Sequence, residues 1–293
     1  MRKSNIGVYK MKSKLILVEG LPGSGKSTTA RLIYDILMEN GVNAELYMEG
    51  NLDHPADYEG VAYFTEDEFE HLLAGSGNLG KIFQDRVLVK NGHYLLPFMK
   101  IKTELGDKFP ENLLAEICRK DIYELPLEQN IQVIAESWAE FARMAETENK
   151  VYVFECCFIQ NPVSVGMVKY GAPDEVSIAY VKKLGDAVKY LDPLLVYVKQ
   201  EDIEISFRKA VAERPEDWFK GFIQYYTSQG YGAEKELSGL DGTIEVLKAR
   251  QQLENKILEQ LTMPVSILDN SQFNLESHRE SLIKEIMEEN TNE

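Results

Sequence analysis

The sequence predicts an α/β protein: a five-stranded parallel sheet flanked by helices, with an inserted lid or substrate subdomain. Short apolar runs alternate along the chain with amphipathic segments of helical period, which is typical of strands joined by crossover helices. The first apolar run, residues 15–18, leads into a loop of the form G-x-x-x-x-G-K-[ST], and a helical segment follows that loop. Strand, loop and helix in this order are the setting in which the motif binds phosphate.

The loop has the residue types that hold phosphate groups. It consists of Gly20, Leu21, Pro22, Gly23, Ser24, Gly25, Lys26, Ser27 and Thr28. Its glycines let successive backbone N–H groups turn inward, and the positive end of the next helix points to the same place. The Lys26 ammonium is placed to contact the outer two phosphates of a nucleotide, and the Ser27 hydroxyl is placed to bind Mg²⁺. We therefore predict nucleotide binding and the P-loop NTPase fold.

Composition narrows the choice of partners. The formal net charge of −16 argues against binding to nucleic acid and to an anionic membrane surface. No apolar run approaches the roughly 20 residues needed to cross a bilayer. Three cysteines, two of them adjacent at Cys156 and Cys157, favour a reducing cytoplasm. The apolar run after the basic first residues is too short for a signal peptide, so residues 1–10 are interpreted as a start-site extension or a tail.

Sequence periods and breaker residues place the remaining elements in order. Strands are predicted at residues 15–18, 42–48, 150–154, 194–198 and 263–268. Helices are predicted at residues 27–40, 128–147, 174–190, 203–212, 216–227, 242–261 and 275–289. Because the carboxyl ends of parallel strands meet at one edge of a sheet, residues that follow the strands are expected to share that edge.

Residues 50 to about 127 are the least regular part of the chain. Residues 66–74 are predicted to form a short acidic helix, and the Gly-rich residues 75–80 a flexible joint. The dipeptide Asn91-Gly92 lies between apolar runs and predicts a β-hairpin. A connection of this length rarely lacks structure, so we interpret it as an insertion in a single domain of residues 1–293.

Two carboxylates are expected at the phosphate edge of the sheet. Glu155 follows the third strand, where a carboxylate can hold Mg²⁺ or accept a proton from the substrate. Glu49 follows the second strand and is a candidate general base toward a hydroxyl group. The alternatives are a solvated carboxylate that ends a strand at Glu155 and a turn-forming residue at Glu49.

Two arginines follow the fourth strand. Arg208 and Arg214 lie on or just after the predicted helix of residues 203–212, and arginines there can clamp a transferring phosphoryl group. Six residues of helix separate them by nearly two turns, so they share a face only if the helix breaks before Pro215. The alternative is an ordinary solvated helix.

The order of these motifs along the chain resembles that of the thymidylate kinase and deoxynucleoside kinase group of P-loop kinases. The resemblance rests on residues 19–28, on Glu49 and on the arginine-containing helix. It implies ATP as phosphate donor with Mg²⁺, Glu49 as base, and residues 269–272 beside the adenine. Deoxynucleoside kinases carry Glu-Arg-Ser after the third strand, whereas this chain has Glu155-Cys156-Cys157 and so lacks that arginine.

These observations together predict an ATP-dependent kinase for a small-molecule phosphate acceptor, with a nucleoside or nucleotide implied by the resemblance. The alternatives are a nucleotide-dependent hydrolase or switch acting on a protein partner, and a binding protein that has lost activity. The fourth strand is followed by Lys199-Gln200-Glu201-Asp202 instead of the Asn-Lys-x-Asp of GTPases, which disfavours a GTPase. A homodimer is an open alternative to a monomer.

Overall fold

The computed structural model describes residues 13–287, which contain eight strands and thirteen α-helices. The strands are β1 Leu15–Glu19, β2 Ala44–Tyr47, β3 Ala62–Phe64, β4 Leu88–Lys90, β5 His93–Leu96, β6 Val151–Glu155, β7 Leu194–Lys199 and β8 Val265–Asp269. The helices are α1 Lys26–Glu39, α2 Glu66–Gly75, α3 Gly80–Arg86, α4 Phe98–Leu105, α5 Glu111–Cys118, α6 Leu127–Thr147, α7 Gln160–Val163, α8 Asp174–Val188, α9 Ile203–Glu213, α10 Glu216–Thr227, α11 Gly230–Glu234, α12 Gly239–Gln260 and α13 Leu275–Ile286.

The chain divides into two compact units. The first, here called the sheet unit, comprises Met1–Glu49 and Trp138–Glu293, of which residues 13–49 and 138–287 are described. The second, the insert unit, is Gly50–Ser137. One boundary between them falls inside α6, which is continuous from Leu127 to Thr147.

The sheet unit contains a five-stranded parallel sheet in the order β2-β6-β1-β7-β8. This order and the helices around it confirm the fold class predicted from the sequence. All five residues of β1 are buried, as expected for a central strand covered on both faces. Ile16 and Val18 face a cluster that includes Ile33 and Leu37 of α1 and Leu282 of α13.

The other face of the sheet is covered by aromatic side chains of α6 and β6. The ring of Trp138 meets that of Phe154 edge-on at 6.0 Å, and the ring of Phe141 meets that of Tyr152 at 5.0 Å. Edge-on pairs of this kind add to the stabilisation that comes from burying the rings. Packing on both faces holds the carboxyl ends of β1, β2 and β6 at one edge, where the phosphate loop begins.

The insert unit has its own sheet and its own core. Its three strands are antiparallel in the order β3-β5-β4, and the predicted Asn91-Gly92 turn joins β4 to β5. The core contains aromatic and aliphatic side chains of the strands, of α2 to α5 and of the segment between α4 and α5, among them Phe64, Phe83, Phe98, Phe109 and Ile117. The unit therefore buries an apolar cluster separate from that of the sheet unit.

Several predicted boundaries and elements differ from the structure. Residues 75–80 were expected to form a flexible joint, but a single 3₁₀ turn at Gly77–Leu79 leads there into α3. The last helix ends at Ile286, and the predicted continuation to residue 289 lies partly outside the described residues, as does the interpretation of residues 1–10. Among the helices of residues 13–287, none combines the length and the apolar character needed to cross a bilayer.

Candidate active site

The phosphate loop joins β1 to α1 and is shaped by three glycines with positive φ. The φ angles are 145° at Gly20, 85° at Gly23 and 98° at Gly25, a region that residues with a side chain rarely adopt. A Cβ on Gly20 would lie 2.4 Å from the carbonyl oxygen of Val198, so the loop runs directly against β7. A Cβ on Gly23 would lie 3.0 Å from the carbonyl oxygen of Ser206, so α9 packs against the tip of the loop.

Two side-chain amides hold the middle of the loop from behind. Gln200 Nε2 and Asn270 Nδ2 both donate to the carbonyl oxygen of Ser24, at 3.0 Å and 2.8 Å. Gln200 Nε2 also donates to the carbonyl oxygen of Asn270 at 2.9 Å, which links the segments that follow β7 and β8. With its Ser24 carbonyl fixed in this way, the loop keeps a defined backbone conformation before any ligand binds.

Lys26 is the cation of the loop, and its side chain is buried. Its Nζ donates to the carbonyl oxygen of Leu21 at 3.1 Å, so the ammonium lies inside the loop. Burial acts to lower the pKa of Lys26, but nearby acidic groups, Glu49 and Glu155 among them, act in the opposite direction, and the net pKa is raised. Lys26 therefore stays protonated and available to a phosphate at neutral pH.

Ser27, Glu155 and Glu49 form a continuous hydrogen-bonded row beside Lys26. Ser27 Oγ donates to Glu155 Oε1 at 2.5 Å, and the backbone N–H of Glu49 donates to Glu155 Oε2 at 3.2 Å. Ser27 lies in the first turn of α1, Glu155 ends β6 and Glu49 follows β2, so the row exists only in the folded sheet unit. The structure thus brings together four of the residues singled out in the sequence.

Glu19, which precedes Gly20, is completely buried at the base of the site. Its Oε1 accepts a hydrogen bond from the backbone N–H of Phe158 at 2.7 Å, and its Oε2 accepts one from Gln160 at 3.0 Å. Burial raises the pKa of Glu19 to about 7, although these backbone donors act to lower it. The carboxyl group therefore anchors the segment after β6 and changes its protonation state near neutral pH.

Cys156 and Cys157 lie in that same segment. Both are buried and neither takes part in a disulfide. Cys156 has φ of 73°, and its Sγ donates to Glu49 Oε2 at 3.6 Å. Burial raises the pKa of the Cys156 thiol well above its ordinary value, so the group remains a neutral thiol.

The donor atoms beside Lys26 fit Mg²⁺, which prefers oxygen ligands. Glu49, Glu155 and Cys156 each offer one ligand atom, and these atoms lie within 4.8 Å of one another. Cys156 offers a protonated thiol, a poor ligand for a hard cation. The Ser27 hydroxyl and the Glu155 carboxylate, already in contact, are the oxygen pair that fits.

Arg208 and Arg214 make their described contacts elsewhere. Arg208 donates to Glu204 at 3.0 Å and to Asp241 of α12 at 2.7 Å, and the Arg214 guanidinium lies 4.3 Å from the centre of the Trp218 ring. Successive helical residues are about 100° apart, so Arg208 lies on the side of α9 opposite to the Ser206 and Ala210 face that meets the loop. The structure therefore does not bring either arginine into contact with Lys26, Glu49 or Glu155.

Three residues of the site were not predicted from the sequence. Gln160 donates to Glu49 Oε1 at 2.6 Å, Gln200 supports the loop, and Glu19 anchors the segment after β6. Only Glu19 carries a usable signal, because it stands next to the glycine motif. Gln160 and Gln200 belong to no recognisable sequence motif. Only the order of the strands in the folded sheet brings them to the site.

Comparison with known proteins gives limited similarity. No family model matches the chain. A curated protein described as a probable adenylyl-sulfate kinase, from Halalkalibacterium halodurans, is 28% identical over 106 residues, which are 36% of this chain and 50% of that protein. The chain thus spans half the length of this relative. That relative is described as a kinase, in agreement with the resemblance to P-loop kinases.

A solved structure of thymidylate kinase from Candida albicans is also similar. It is 14% identical, and the alignment covers 94% of this chain and 92% of that one with a TM-score of 0.42.

Proposed function

We propose that the protein is an ATP-dependent kinase that transfers the terminal phosphoryl group of ATP to a small-molecule acceptor, a nucleoside or a nucleotide. The observation that supports this most directly is the row Ser27, Glu155 and Glu49 beside Lys26, because it joins phosphate-binding, metal-binding and proton-accepting groups at one sheet edge. A binding loop alone needs no carboxylates there.

Each residue has a defined part in this proposal. The loop N–H groups and Lys26 hold the β- and γ-phosphates and stabilise the negative charge that develops during transfer. Ser27 and Glu155 would hold Mg²⁺, which when bound neutralises phosphate charge. Because Glu155 is assigned to Mg²⁺ together with Ser27, Glu49 is the carboxylate left to act on the acceptor.

The transfer balances as a single displacement. The acceptor oxygen forms a bond to the γ-phosphorus, and the bond from that phosphorus to the oxygen shared with the β-phosphate breaks, so ADP leaves. When the acceptor is a hydroxyl group, its proton passes to the Glu49 carboxylate, which acts as general base. When the acceptor is already an anionic phosphate, no base is needed and Lys26 carries the larger part of the charge stabilisation.

The test is a screen for phosphorylation with ATP and Mg²⁺. The panel contains nucleosides, nucleoside monophosphates, sugars and aminoglycoside antibiotics, with product detected by mass spectrometry. A phosphorylated small molecule supports the proposal. ATP hydrolysis that responds only to an added protein, with no phosphorylated small molecule, would support the switch instead.

Replacing Lys26 with Ala should lower phosphate transfer at least about a hundredfold, because a charge that contacts the transferring group is lost. The matched control is Lys182→Ala, which removes an exposed lysine of α8. Both variants should melt cooperatively in a thermal scan, which separates loss of chemistry from loss of fold. Undiminished transfer by a folded K26A protein would rule out this scheme.

A further inference from the structure

The carboxylate of Glu49 is held at both oxygens by donors that carry no charge. Gln160 Nε2 donates to Oε1 at 2.6 Å, and the Cys156 thiol donates to Oε2 at 3.6 Å. An ionised carboxylate has about four lone-pair directions, so two remain for an incoming group. Neutral donors fix the direction of the carboxylate without pairing its charge, whereas a lysine or arginine would do both.

Gln160 is itself firmly placed. It is only 8% exposed, and it is the first residue of α7. Its backbone N–H is bound by Glu19, and the N–H of Asn161 donates to the carbonyl oxygen of Cys156 at 3.3 Å. The segment from Cys156 to Asn161 is therefore closed on itself and tied to the residue that precedes the phosphate loop.

We propose that Gln160 is a positioning residue, which aims the Glu49 carboxylate at the acceptor and is itself placed by Glu19. The inference rests on the proposed function for the role of Glu49, and it assigns that function a residue outside the phosphate-loop motif. The chain of contacts runs from Glu19 through the α7 N-terminus and the Gln160 amide to Glu49. These contacts link the Glu49 carboxylate to β1, the strand that leads into the phosphate loop.

The first measurement tests the contact and requires no acceptor. Thermal midpoints are compared for wild type, Gln160→Leu, Glu49→Ala and the double variant. A shared hydrogen bond makes the two changes non-additive, so the double variant should melt no lower than the less stable single variant. Additive shifts in midpoint would overturn the proposal, whether or not any acceptor is phosphorylated.

The second measurement tests the role with the acceptor that the screen identifies. Q160L should lower kcat roughly tenfold and leave the ATP dissociation constant unchanged, since one hydrogen bond to an ionised group is lost on the acceptor side. Gln160→Glu has the same shape but replaces the donor with a like charge, so it should lower kcat further. The surface variant Gln252→Leu is the matched control and should leave kcat unchanged.

The outcomes are distinct. Full activity in Q160E, or equal losses in Q160L and Q252L, would show that the amide donor has no role in positioning. Loss of ATP binding in Q160L would assign Gln160 to the donor side and would also overturn the proposal. If the wild-type protein phosphorylates nothing in the panel, the proposed function fails, and the stability cycle still decides whether Gln160 holds Glu49.

Discussion

Among single residues, Glu19 has the most unusual environment in the site. Its carboxyl group is fully buried, and burial raises its pKa from an ordinary value of 4.5 to about 7. A charged carboxylate is the better acceptor for the two backbone N–H groups at Phe158 and Gln160, but a protonated one is easier to bury. At any one pH, Glu19 therefore meets only one of these two requirements.

This conflict predicts a pH-dependent stability. Between pH 4.5 and 7 the folded protein binds more protons at Glu19 than the unfolded chain does, so stability is lost as pH rises through this window. Wild type should therefore lose roughly 3 kcal/mol of unfolding free energy relative to Glu19→Gln between pH 4 and pH 8. Urea unfolding of both proteins across that pH range measures the difference.

Comparison with E19Q removes the contributions of all other titrating groups, which both proteins share. Above about pH 8 the difference should be constant, since Glu19 is ionised in both states. A difference that does not change with pH would mean that Glu19 titrates near its ordinary value.

The residues found from the sequence are those that a local pattern specifies. Lys26 and Ser27 belong to one contiguous motif, and Glu155 ends an apolar run. Gln160 has no such pattern, because its role depends on where β6 lies relative to β2. Arg208 is the contrasting case: residue type and chain position predict a clamp, whereas helix geometry in the structure directs the side chain toward Asp241.

Among the elements, the phosphate loop depends on its neighbours as much as on its own glycines. Gly20 has φ of 145° and lies against β7, whereas Gly41 has φ of 73° and would have no atom within 4 Å of an added Cβ. Both positions disfavour a side chain through backbone conformation, and only Gly20 also lacks space. The two glycines form a matched pair for separating conformation from packing.

Gly41→Ala should cost about 1 kcal/mol, the usual penalty for placing a side chain at positive φ, and should not change ATP affinity. Gly20→Ala should cost a further 1–3 kcal/mol or so, because its Cβ would press on the backbone carbonyl of Val198, and it should weaken ATP binding. Urea midpoints and calorimetric ATP titrations report the two effects. Equal behaviour of the two variants would mean that contact with β7 does not shape the loop.

The long elements of the sheet unit were predictable, but its short helices α7 and α11 and many elements of the insert unit were not. Buried parallel strands read as continuous apolar runs, and β1, β6 and β7 stand out in this way. In the insert unit, α3, α4 and α5 span only seven or eight residues each, too short for a clear helical period. The hairpin between β4 and β5 was found because its turn residues are specific.

Across the whole molecule, the formal net charge of −16 is the dominant electrostatic property. Exposed ion pairs such as Arg86 with Glu104 and Lys248 with Glu245 contribute little each and weaken in salt. The excess acidic groups repel one another over longer distances, and folding brings them closer together. The buried pair of Arg250 with Glu254 is shielded from salt.

The thermal midpoint should therefore rise with salt. Between about 10 mM and 150 mM NaCl the screening length falls from roughly 30 Å to 8 Å, which removes more repulsion than attraction in a chain with this excess of acid. The midpoint is followed by circular dichroism, with choline chloride at the same ionic strength to exclude binding of Na⁺.

A charge-reversal variant provides the control. It replaces three exposed acidic residues with lysine: Glu116→Lys, Glu259→Lys and Glu280→Lys. Each change raises the net charge by two, to about −10 in total, so the rise of the midpoint with salt should be smaller. A midpoint that falls as salt is added would show that attractive pairs, and not the net charge, dominate the electrostatics of the fold.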